Sequence, residues 1–550
     1  MNAIVPLPVL LPLCATGLSL AFGVRLARFQ RFISVAVLAA VLALSVTLMV
    51  AADRQGPLSV HLGDFAPPLG ITLVADRLSG LMLTVSSAVT LCVLVYSLGQ
   101  GMTDRDKETP LAVFHPAYLI LVSGVSCTFL AGDLVNLYVG FEIMLVASFV
   151  LLTLGGTGPR MRAGSTYVII SLFSSMLFLT AIAMTYAAAG TANFAQLATR
   201  VADLPLGVQT LIQAMLLTVF AIKAAVFPLA AWLPDSYPTA PAPVTAVFAG
   251  LLTKVGVYCM LRTETLIFPG NRLGDLLMAI ALASMVIGIL GAVAQTDLKR
   301  LLSFTLISHI GYMVFGIGLA TREAYGGAIV YVAHHITVQT ALFLVAGLIE
   351  RRGGTTELTR LGGIARAAPM LALLFFVPAM NLAGIPPLSG FIGKLGLMRA
   401  GVADGGVWAW VLVAGSAATS LLTLYVVAKV WNLAFWRAAP PGQAAAGTVL
   451  ESGDDSDDDS DAGPDDIPGT GDEGTAPVKR PAGRAVAATL HGRAVTTTSR
   501  LPHPMTAATA ATIAIALAFT VFADPLTSYT DRTAAELIQR SPYIQEVLGR

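Results

Sequence analysis

Apolar runs long enough to cross a lipid bilayer recur along almost the whole chain. A helix rises about 1.5 Å per residue and the hydrocarbon core is about 30 Å thick, so a crossing needs about 20 apolar residues. Fourteen runs have about that length, at residues 5–24, 32–52, 79–99, 113–130, 134–155, 164–189, 207–230, 242–264, 273–293, 300–320, 324–349, 368–399, 407–435 and 506–523. Only 12% of the residues are charged, against about 25% in soluble domains. The pattern predicts an all-α polytopic membrane protein and excludes an ordinary soluble enzyme.

The basic residues between the runs are divided unequally between the two sides. If the N-terminus lies outside, loops after odd-numbered runs hold 19 Lys and Arg residues, and the opposite loops hold 10. Because basic loops stay in the cytoplasm, we expect a multi-pass cell-membrane protein with both termini outside. The first run is expected to be retained, since Arg25, Arg28 and Arg31 follow it rather than precede it.

One segment interrupts the apolar pattern. Residues 438–500 are rich in Gly, Pro, Ala, Ser and Asp, and eleven acidic residues fall between positions 451 and 473. This composition predicts a disordered, acidic cytoplasmic linker, which is either a solvated spacer or a cation-collecting or regulatory segment. The tail after Pro525 predicts a short amphipathic helix on the membrane surface or on a partner.

Four charged residues fall mid-span in the apolar runs, where an ionised side chain costs about 2.5–3.5 kcal/mol on insertion scales. They are Glu142 in run 5, Lys223 in run 7, Lys254 in run 8 and Lys394 in run 12. A single buried ion pair would be a structural alternative. Four such groups on four runs favour a proton relay, because buried lysines exchange protons readily.

Prolines interrupt two of these runs. Pro228 lies in run 7 with Pro234 just after it, and Pro386 and Pro387 lie in run 12. Proline removes a backbone donor, and paired interrupted spans point to the ion path of a transporter. Runs 7 and 12 are five apart, and an odd offset inverts topology. We therefore predict two inverted five-helix repeats with broken helices 7 and 12. The predicted divisions are 1–112 (runs 1–3), 113–264 (runs 4–8), 265–437 (runs 9–13), the linker 438–500, and 501–550 (last run and tail).

Histidines add further groups that can pass a proton near neutral pH. His309 lies in run 10, and His334 and His335 lie in run 11. Hydrogen-bonded core histidines are the alternative, and no metal site is expected, because no Cys, Asp or Glu stands at ligand spacing. Asp133 opens run 5 about 13 Å along a helix from Glu142. It is either a helix N-cap or the point where protons enter.

Several stretches, taken in order, resemble one known family. They are AGDLVNLYVGFEIML, AIKAAVFPLAAWLPDSYPTAPAPVTA, AQTDLKRLLSFTLISHIGYM and AGIPPLSGFIGKLGL. Together they resemble the antiporter-like subunits of respiratory complex I and of Mrp-type multisubunit Na+/H+ antiporters, over roughly residues 70–430. The resemblance implies the inverted-repeat fold and a mid-membrane row of protonatable groups.

The resemblance also implies a role for each group. Glu142 would pair with Lys223, Lys254 would carry the proton onward, and Lys394 would be the last group. A lysine at that last position favours the Mrp branch. The family often has a lysine four residues after the run-11 histidine, but here Gln339 follows His335. Because glutamine takes up no proton, that role would fall to His335 or to water.

We therefore expect a proton-translocating subunit of a multisubunit Na+/H+ antiporter, moving protons along Lys, Glu and His side chains and water. It would be a transporter, with bound water and phospholipid but no cofactor. Its partners would be other subunits, H+, Na+ and lipid, and no nucleic acid is expected. The alternative is a proton-pumping module of a complex I- or hydrogenase-type redox complex. A purely structural scaffold is a third possibility, against which the four buried charges argue.

Overall fold

The spanning helices follow the predicted runs and are numbered after them. The structure, a computed structural model, describes residues 2–22, 27–100, 111–438, 487–490, 493–496 and 501–549. The helices are α1 (Leu7–Phe22), α2 (Ala27–Gln55), α3 (Arg77–Gln100), α4 (Leu111–Leu130), α5 (Leu134–Thr153), α6 (Gly158–Ala189), α7 (Leu206–Ala224), α8 (Ala242–Ile267), α9 (Gly274–Ala294), α10 (Leu298–Leu319), α11 (Arg322–Gly353), α12a (Pro369–Ala383), α12b (Ser389–Asp404), α13 (Val407–Trp436), α14 (His503–Val521), α15 (Ala523–Gln539) and α16 (Ser541–Leu548).

Shorter elements connect these helices. The short helices are Phe194–Arg200, Leu233–Ser236 and Ile364–Ala367, and the 3-10 turns are Asn2–Ile4, Leu62–Asp64, Val201–Asp203, Tyr237–Thr239 and Leu358–Arg360. Strands β1 (Leu58–His61) and β2 (Thr72–Ala75) pair antiparallel, with Leu58 opposite Ala75. Strands β3 (Ala487–Leu490) and β4 (Arg493–Thr496) form a second antiparallel pair. The acidic stretch 451–473 of the predicted linker lies outside the described residues.

Thirteen of the described helices are long and apolar enough to cross a membrane. The one remaining predicted run, run 12, is two shorter helices, α12a and α12b, so this crossing is not one continuous helix. The prediction of an all-α polytopic membrane protein with about fourteen spans is confirmed. The inverted relation between α4–α8 and α9–α13 stays a prediction.

Both predicted helix breaks are present. After α7, Ala225 adopts a left-handed conformation with φ +57°, and the chain turns through Phe227 and Pro228 before the next short helix. After α12a, Gly384 has φ +84°, a conformation that favours glycine, and Pro386 and Pro387 follow. Since proline has no N–H to donate, neither helix can continue through these residues.

The helices that carry most of the candidate groups lie at the centre of the protein. Every residue of α8 is buried, and α10 and α11 are almost wholly enclosed. Gly256 of α8 lets the backbone of Ala224 approach, since a Cβ at Gly256 would lie 2.6 Å from the Ala224 nitrogen. In contrast, α6 exposes Phe173 and Met176, as expected of a lipid-facing surface. Lys254, the three histidines and Gln339 are therefore shielded from lipid.

The strand pair β1–β2 and helices α15 and α16 cover one end of the protein, which we call the tail side. Here Arg262 binds the buried Asp76 through two hydrogen bonds of 2.6 and 2.8 Å. Burial alone would raise the pKa of Asp76, but the Arg262 guanidinium outweighs it and holds that pKa below its usual range. Glu536 of α15 pairs with Arg77, and the Tyr543 ring of α16 lies 5.2 Å from the Arg262 guanidinium.

The two tail helices therefore pack on this chain itself. The amphipathic pattern predicts a helix on the membrane surface or on a partner, and the structure corrects this. Leu537, Tyr543 and Val547 are buried. Helix α15 contacts α11, and α16 contacts β1 and the short helix Phe194–Arg200. Such tertiary contacts between distant segments are not visible in the amphipathic pattern alone.

Candidate functional site

Lys223 lies at the end of α7, beside α5 and α6. Its Nζ donates to the Ser171 carbonyl at 3.4 Å and to Ser175 Oγ at 3.3 Å, and it stands 5.5 Å from the ring centre of Phe141. Glu142 follows Phe141, and its Oε1 is buried without a hydrogen-bond partner. Among the described residues, no ion pair joins Glu142 to Lys223. Neighbouring helical residues point about 100° apart, so Phe141 rather than Glu142 faces the ammonium.

A small cavity adjoins the Lys223 ammonium. Its volume accessible to water is about 30 Å³, which is room for about two water molecules. Phe141, Ser171, Trp232 and Tyr237 line it together with Lys223. Trp232 Nε1 and the Tyr237 hydroxyl are buried and have no partner. Water in this cavity would satisfy these groups and could exchange protons with Lys223.

Lys254 is enclosed at the centre of α8. Its side chain is fully buried, and its Nζ donates to the Ala249 carbonyl at 2.5 Å. A π-helical turn, Phe248–Leu252, immediately precedes it; such turns occur often at functional sites. Within this turn Gly250 lies against α11, because a Cβ there would come within 3.4 Å of the Ile336 carbonyl. The Lys254 segment therefore packs directly beside the histidine segment of α11.

The three histidines form one cluster with two tyrosines, Tyr312 and Tyr331. The Tyr331 hydroxyl and His309 Nδ1 are 2.6 Å apart, and the ring centres of His309 and His335 are 5.3 Å apart. Tyr331 also lies 5.4 Å from His334, and Tyr312 lies 5.6 Å from His309. All five rings are buried. An aromatic residue in an apolar run looks like ordinary core, so no sequence signal singles out the tyrosines.

Three polar atoms of His335 and Gln339 lack hydrogen-bond partners. Both ring nitrogens of His335 and Oε1 of Gln339 are buried and unsatisfied, while Gln339 Nε2 donates to the Leu302 carbonyl at 2.8 Å. His335 and Gln339 are four residues apart on α11, so both lie on one helix face. Since orphaned buried polar atoms are costly, water is expected at this face.

Lys394 lies at the break in α12. Its Nζ donates to the carbonyls of Leu382 and Ala383 at 3.2 and 3.1 Å and lies 5.0 Å from the Tyr312 ring centre. The last carbonyls of a helix have no partner within it, and its C-terminus favours a cation. The break therefore leaves free carbonyls that bind Lys394. Tyr312 lies between Lys394 and the histidines.

His334 of α11 contacts the other side of the same break, at the start of α12b. The hydroxyl of Ser389, the first residue of α12b, lies 2.9 Å from His334 Nδ1 and within hydrogen-bond reach of the Asn381 amide. The backbone N–H of Ser389 donates to Thr520 Oγ1 of α14 at 2.9 Å. No pattern in the sequence singles out Ser389, Asn381 or Thr520. The proline-broken motif marks this place in the chain but not which side chains meet there.

Asp133 caps the N-terminus of α5. Its Oδ1 accepts the Asn136 N–H at 2.6 Å and its Oδ2 accepts the Thr72 N–H at 3.3 Å. Burial raises the pKa of Asp133 although these backbone hydrogen bonds oppose it. Of the two interpretations, the structure shows the N-cap, and proton entrance at this residue stays a prediction. Among the described residues, no three His, Cys, Asp or Glu side chains group as metal ligands would.

Replacing Asp133 by asparagine separates the two interpretations. Asparagine caps helices about as well as aspartate, so we expect assembly to be unchanged and the transport rate to stay within about twofold. Cation/proton exchange in everted vesicles, normalised to the amount of complex, measures this. Asp133→Ala is the matched variant that loses the cap and should lower stability by about 1 kcal/mol. A large loss of transport in Asp133→Asn would instead assign proton uptake to the carboxylate.

Comparisons with known proteins show which family the chain resembles. Residues 131–422 match the family described as NADH:quinone oxidoreductase/Mrp antiporter, TM. The chain is 42% identical to the D-type subunit of the Na(+)/H(+) antiporter of Alkalihalophilus pseudofirmus, over 79% of this chain and 87% of that protein. It is 35% identical to the corresponding Na(+)/H(+) antiporter protein of Bacillus subtilis, again over 79% and 87%.

Solved structures show the same fold. The chain matches one in the Mrp complex from a Dietzia species along the full length of both, with a TM-score of 0.85 and 29% identity. It also matches a chain of respiratory complex I from Thermus thermophilus, with a TM-score of 0.68 and 25% identity, over 81% of this chain and 93% of that one. The ending SPYIQEVLG and the fourteen runs also favour similarity to the D-type subunit of the Mrp complex.

Proposed function

Because the chain belongs to the family of antiporter-like membrane subunits that NADH:quinone oxidoreductases and Mrp antiporters share, we propose that its buried row of titratable side chains carries protons. The chain is one subunit of a multisubunit Na+/H+ antiporter, a transporter rather than an enzyme. Its partners are the other subunits of that complex. The proposal goes further and assigns the proton path to this chain.

The proposed path runs from Lys223 to Lys254, then through the histidine cluster to Lys394, with water between the groups. The main support for this path is that the side chains between His335 and Lys394 contact one another. Lys394 faces Tyr312, Tyr312 lies beside His309, and His309 lies beside His335. Two features support water as the proton carrier between these side chains. They are the cavity at Lys223 and the unpartnered nitrogens of His335.

Glu142 has a controlling role in this proposal. When its carboxylate pairs with Lys223, the ammonium form is stabilised and the proton is held. When the two separate, Lys223 can release its proton to water. In the structure the pair is open, and Lys223 binds Ser171 and Ser175 of α6 instead. The mechanism thus needs only a side-chain movement near the cavity.

We place the tail side outside the cell and the chain in the plasma membrane. The excess of basic residues lies in the loops opposite the tail side, and such loops remain cytoplasmic. Bound water in the row and phospholipid along the exposed apolar faces of helices such as α6 complete the proposal. Na+ is the proposed exchanged cation.

A second candidate function is proton pumping driven by a redox complex. The similarity in fold to a chain of respiratory complex I favours it. The same row of side chains would then move protons, but electron transfer in other subunits would supply the energy. The two candidates differ in what starts proton movement.

Everted vesicles from cells that lack other antiporters distinguish the two. The complete set of neighbouring genes is expressed, the vesicles are energised independently of the complex, and a dye reports the pH gradient. We expect NaCl to collapse the gradient only in vesicles that contain the complex. No response to Na+, with proton movement appearing only when an electron donor is supplied, would contradict the antiporter proposal and support the redox-driven one.

A further inference from the structure

A buried carboxylate that the proposed path does not use lies at the tail-side end of α8. Glu264 is only 3% exposed, and its two oxygens accept hydrogen bonds of 3.0 and 2.9 Å from Gln213 Nε2 of α7. Among the described residues, no cation pairs with it. An ionised carboxylate buried without a cation is costly, so this site favours the neutral carboxylic acid over the ionised form.

Glu264 and Gln213 are equally spaced from the two lysines on their helices. Glu264 follows Lys254 on α8 by ten residues, and Gln213 precedes Lys223 on α7 by ten residues. The two helices are antiparallel neighbours, held together where Gly256 meets Ala224. Ten helical residues rise about 15 Å. The pair therefore joins the tail-side ends of the two helices that carry the lysines, at a similar distance from both.

The local backbone is also unusual. A second π-helical turn, Thr263–Ile267, contains Glu264, as the first precedes Lys254. Such turns are rare and occur often at functional sites. Gln213 Oε1 remains buried without a partner, which leaves an acceptor beside the carboxylate for water or for a carboxylic acid proton.

The two arginines around this turn bind groups other than the Glu264 carboxylate. Arg262 binds Asp76, and the Arg540 guanidinium donates to the carbonyls of Leu266 and Ala198. Tyr325 of α11 lies within electrostatic reach of the Glu264 carboxylate. None of these neighbours neutralises Glu264 by an ion pair, although Arg540 binds the same turn.

We propose that Glu264, held by Gln213, is a proton-exchange group on the tail side that links Lys254 and Lys223 to the outside water. This inference rests on the proposed function. The ammonium of Lys254 or Lys223 gives its proton through water to the Glu264 carboxylate. This leaves a neutral amine and a carboxylic acid. The acid then releases the proton to water at the tail side and returns to a carboxylate. The reverse sequence takes a proton in.

The test uses the complete complex with Glu264→Gln, which keeps a hydrogen bond to Gln213 but exchanges no proton. We expect Na+-dependent proton movement per assembled complex to fall about tenfold or more, since removing a proton-transfer group commonly costs about 10²–10⁴-fold in rate. Infrared spectra of the purified complex at varied pH should lose a protonated-carboxyl band. Glu264→Asp, which keeps the acid, should restore part of the rate.

Glu350→Gln is the matched control, because this half-exposed carboxylate pairs with Lys299 at 2.6 Å, away from the row. It should leave transport unchanged. If Glu264→Gln fails to assemble, the double change Glu264→Leu with Gln213→Leu removes the acid without leaving an orphaned amide, and the same loss is expected.

Wild-type transport per complex in Glu264→Gln, while Lys223→Ala abolishes it, would overturn the assignment of Glu264 and leave the proposed function standing. Wild-type transport in both variants would overturn both. An unchanged carboxyl band in Glu264→Gln would show that Glu264 carries no exchangeable proton and would also overturn this inference.

Discussion

Replacing Lys223 by alanine is expected to reduce Na+-dependent proton movement to the background of vesicles that lack the complex. Lys223 is the only described titratable side chain lining its cavity besides the tyrosines, and its ammonium contacts only α6 oxygens and the Phe141 ring. Without the amine, no group there can accept and release a proton near neutral pH. The measurement is the dye response to NaCl in everted vesicles at matched abundance of the subunit.

Lys223→Arg is the informative companion variant. Arginine keeps the positive charge but does not release its proton in proteins. A purely structural cation would therefore be replaced well, whereas a proton carrier would not. We expect Lys223→Arg to be as inactive as Lys223→Ala while the complex assembles normally. Recovery of transport in Lys223→Arg would show that charge, rather than proton exchange, is what the site requires.

Replacing Lys254 by methionine is expected to abolish transport without lowering the stability of the complex. The Lys254 side chain is fully buried and its ammonium has one hydrogen-bond partner, the Ala249 carbonyl. Methionine has a similar length and removes the cost of burying a charge, and apolar replacement of buried charges is often neutral or stabilising by about 1–4 kcal/mol. Vesicle transport and the melting temperature of the purified complex measure the two effects.

Lys429→Met is the matched control for Lys254→Met. Lys429 belongs to α13, and its ammonium also binds backbone carbonyls, those of Val293 and Gln295 at 2.9 and 2.8 Å. These carbonyls are at the end of α9, away from the proposed proton path. We expect this variant to keep transport. A Lys254→Met complex that transports at the wild-type rate, or that loses transport only because it no longer assembles, would contradict the assigned role.

The spans and the buried charges could be predicted from the sequence, because lipid imposes strong rules. A run of about 20 apolar residues has few alternatives to a crossing helix, and a lysine within it stands out through its insertion cost. The breaks near Pro228 and at Pro386 were likewise predictable, since proline cannot continue a helix. Lys223, Lys254 and Lys394 stand out for these reasons and are buried or half-buried as expected.

The contacts between these groups could not be predicted in the same way. Tyr312 and Tyr331 resemble ordinary core residues in an apolar run, and only packing shows that they join the histidines to Lys394. Glu142 is predicted to pair with Lys223 and lies within electrostatic reach of it. The two form no ion pair, because the direction of a side chain around α5 depends on helix packing. Glu264 stands at the predicted end of run 8, where an acid looks like a boundary residue, yet α8 continues to Ile267.

The most direct test of the central claim is a paired measurement of Na+ and proton fluxes in proteoliposomes that contain the purified complex. With an imposed Na+ gradient, the wild-type complex should move both ions in opposite directions. The complex carrying Lys223→Ala, reconstituted at equal amount, should move neither, because exchange requires the proton path through this chain. Unchanged proton flux through the Lys223→Ala complex would contradict the account and place the path in another subunit.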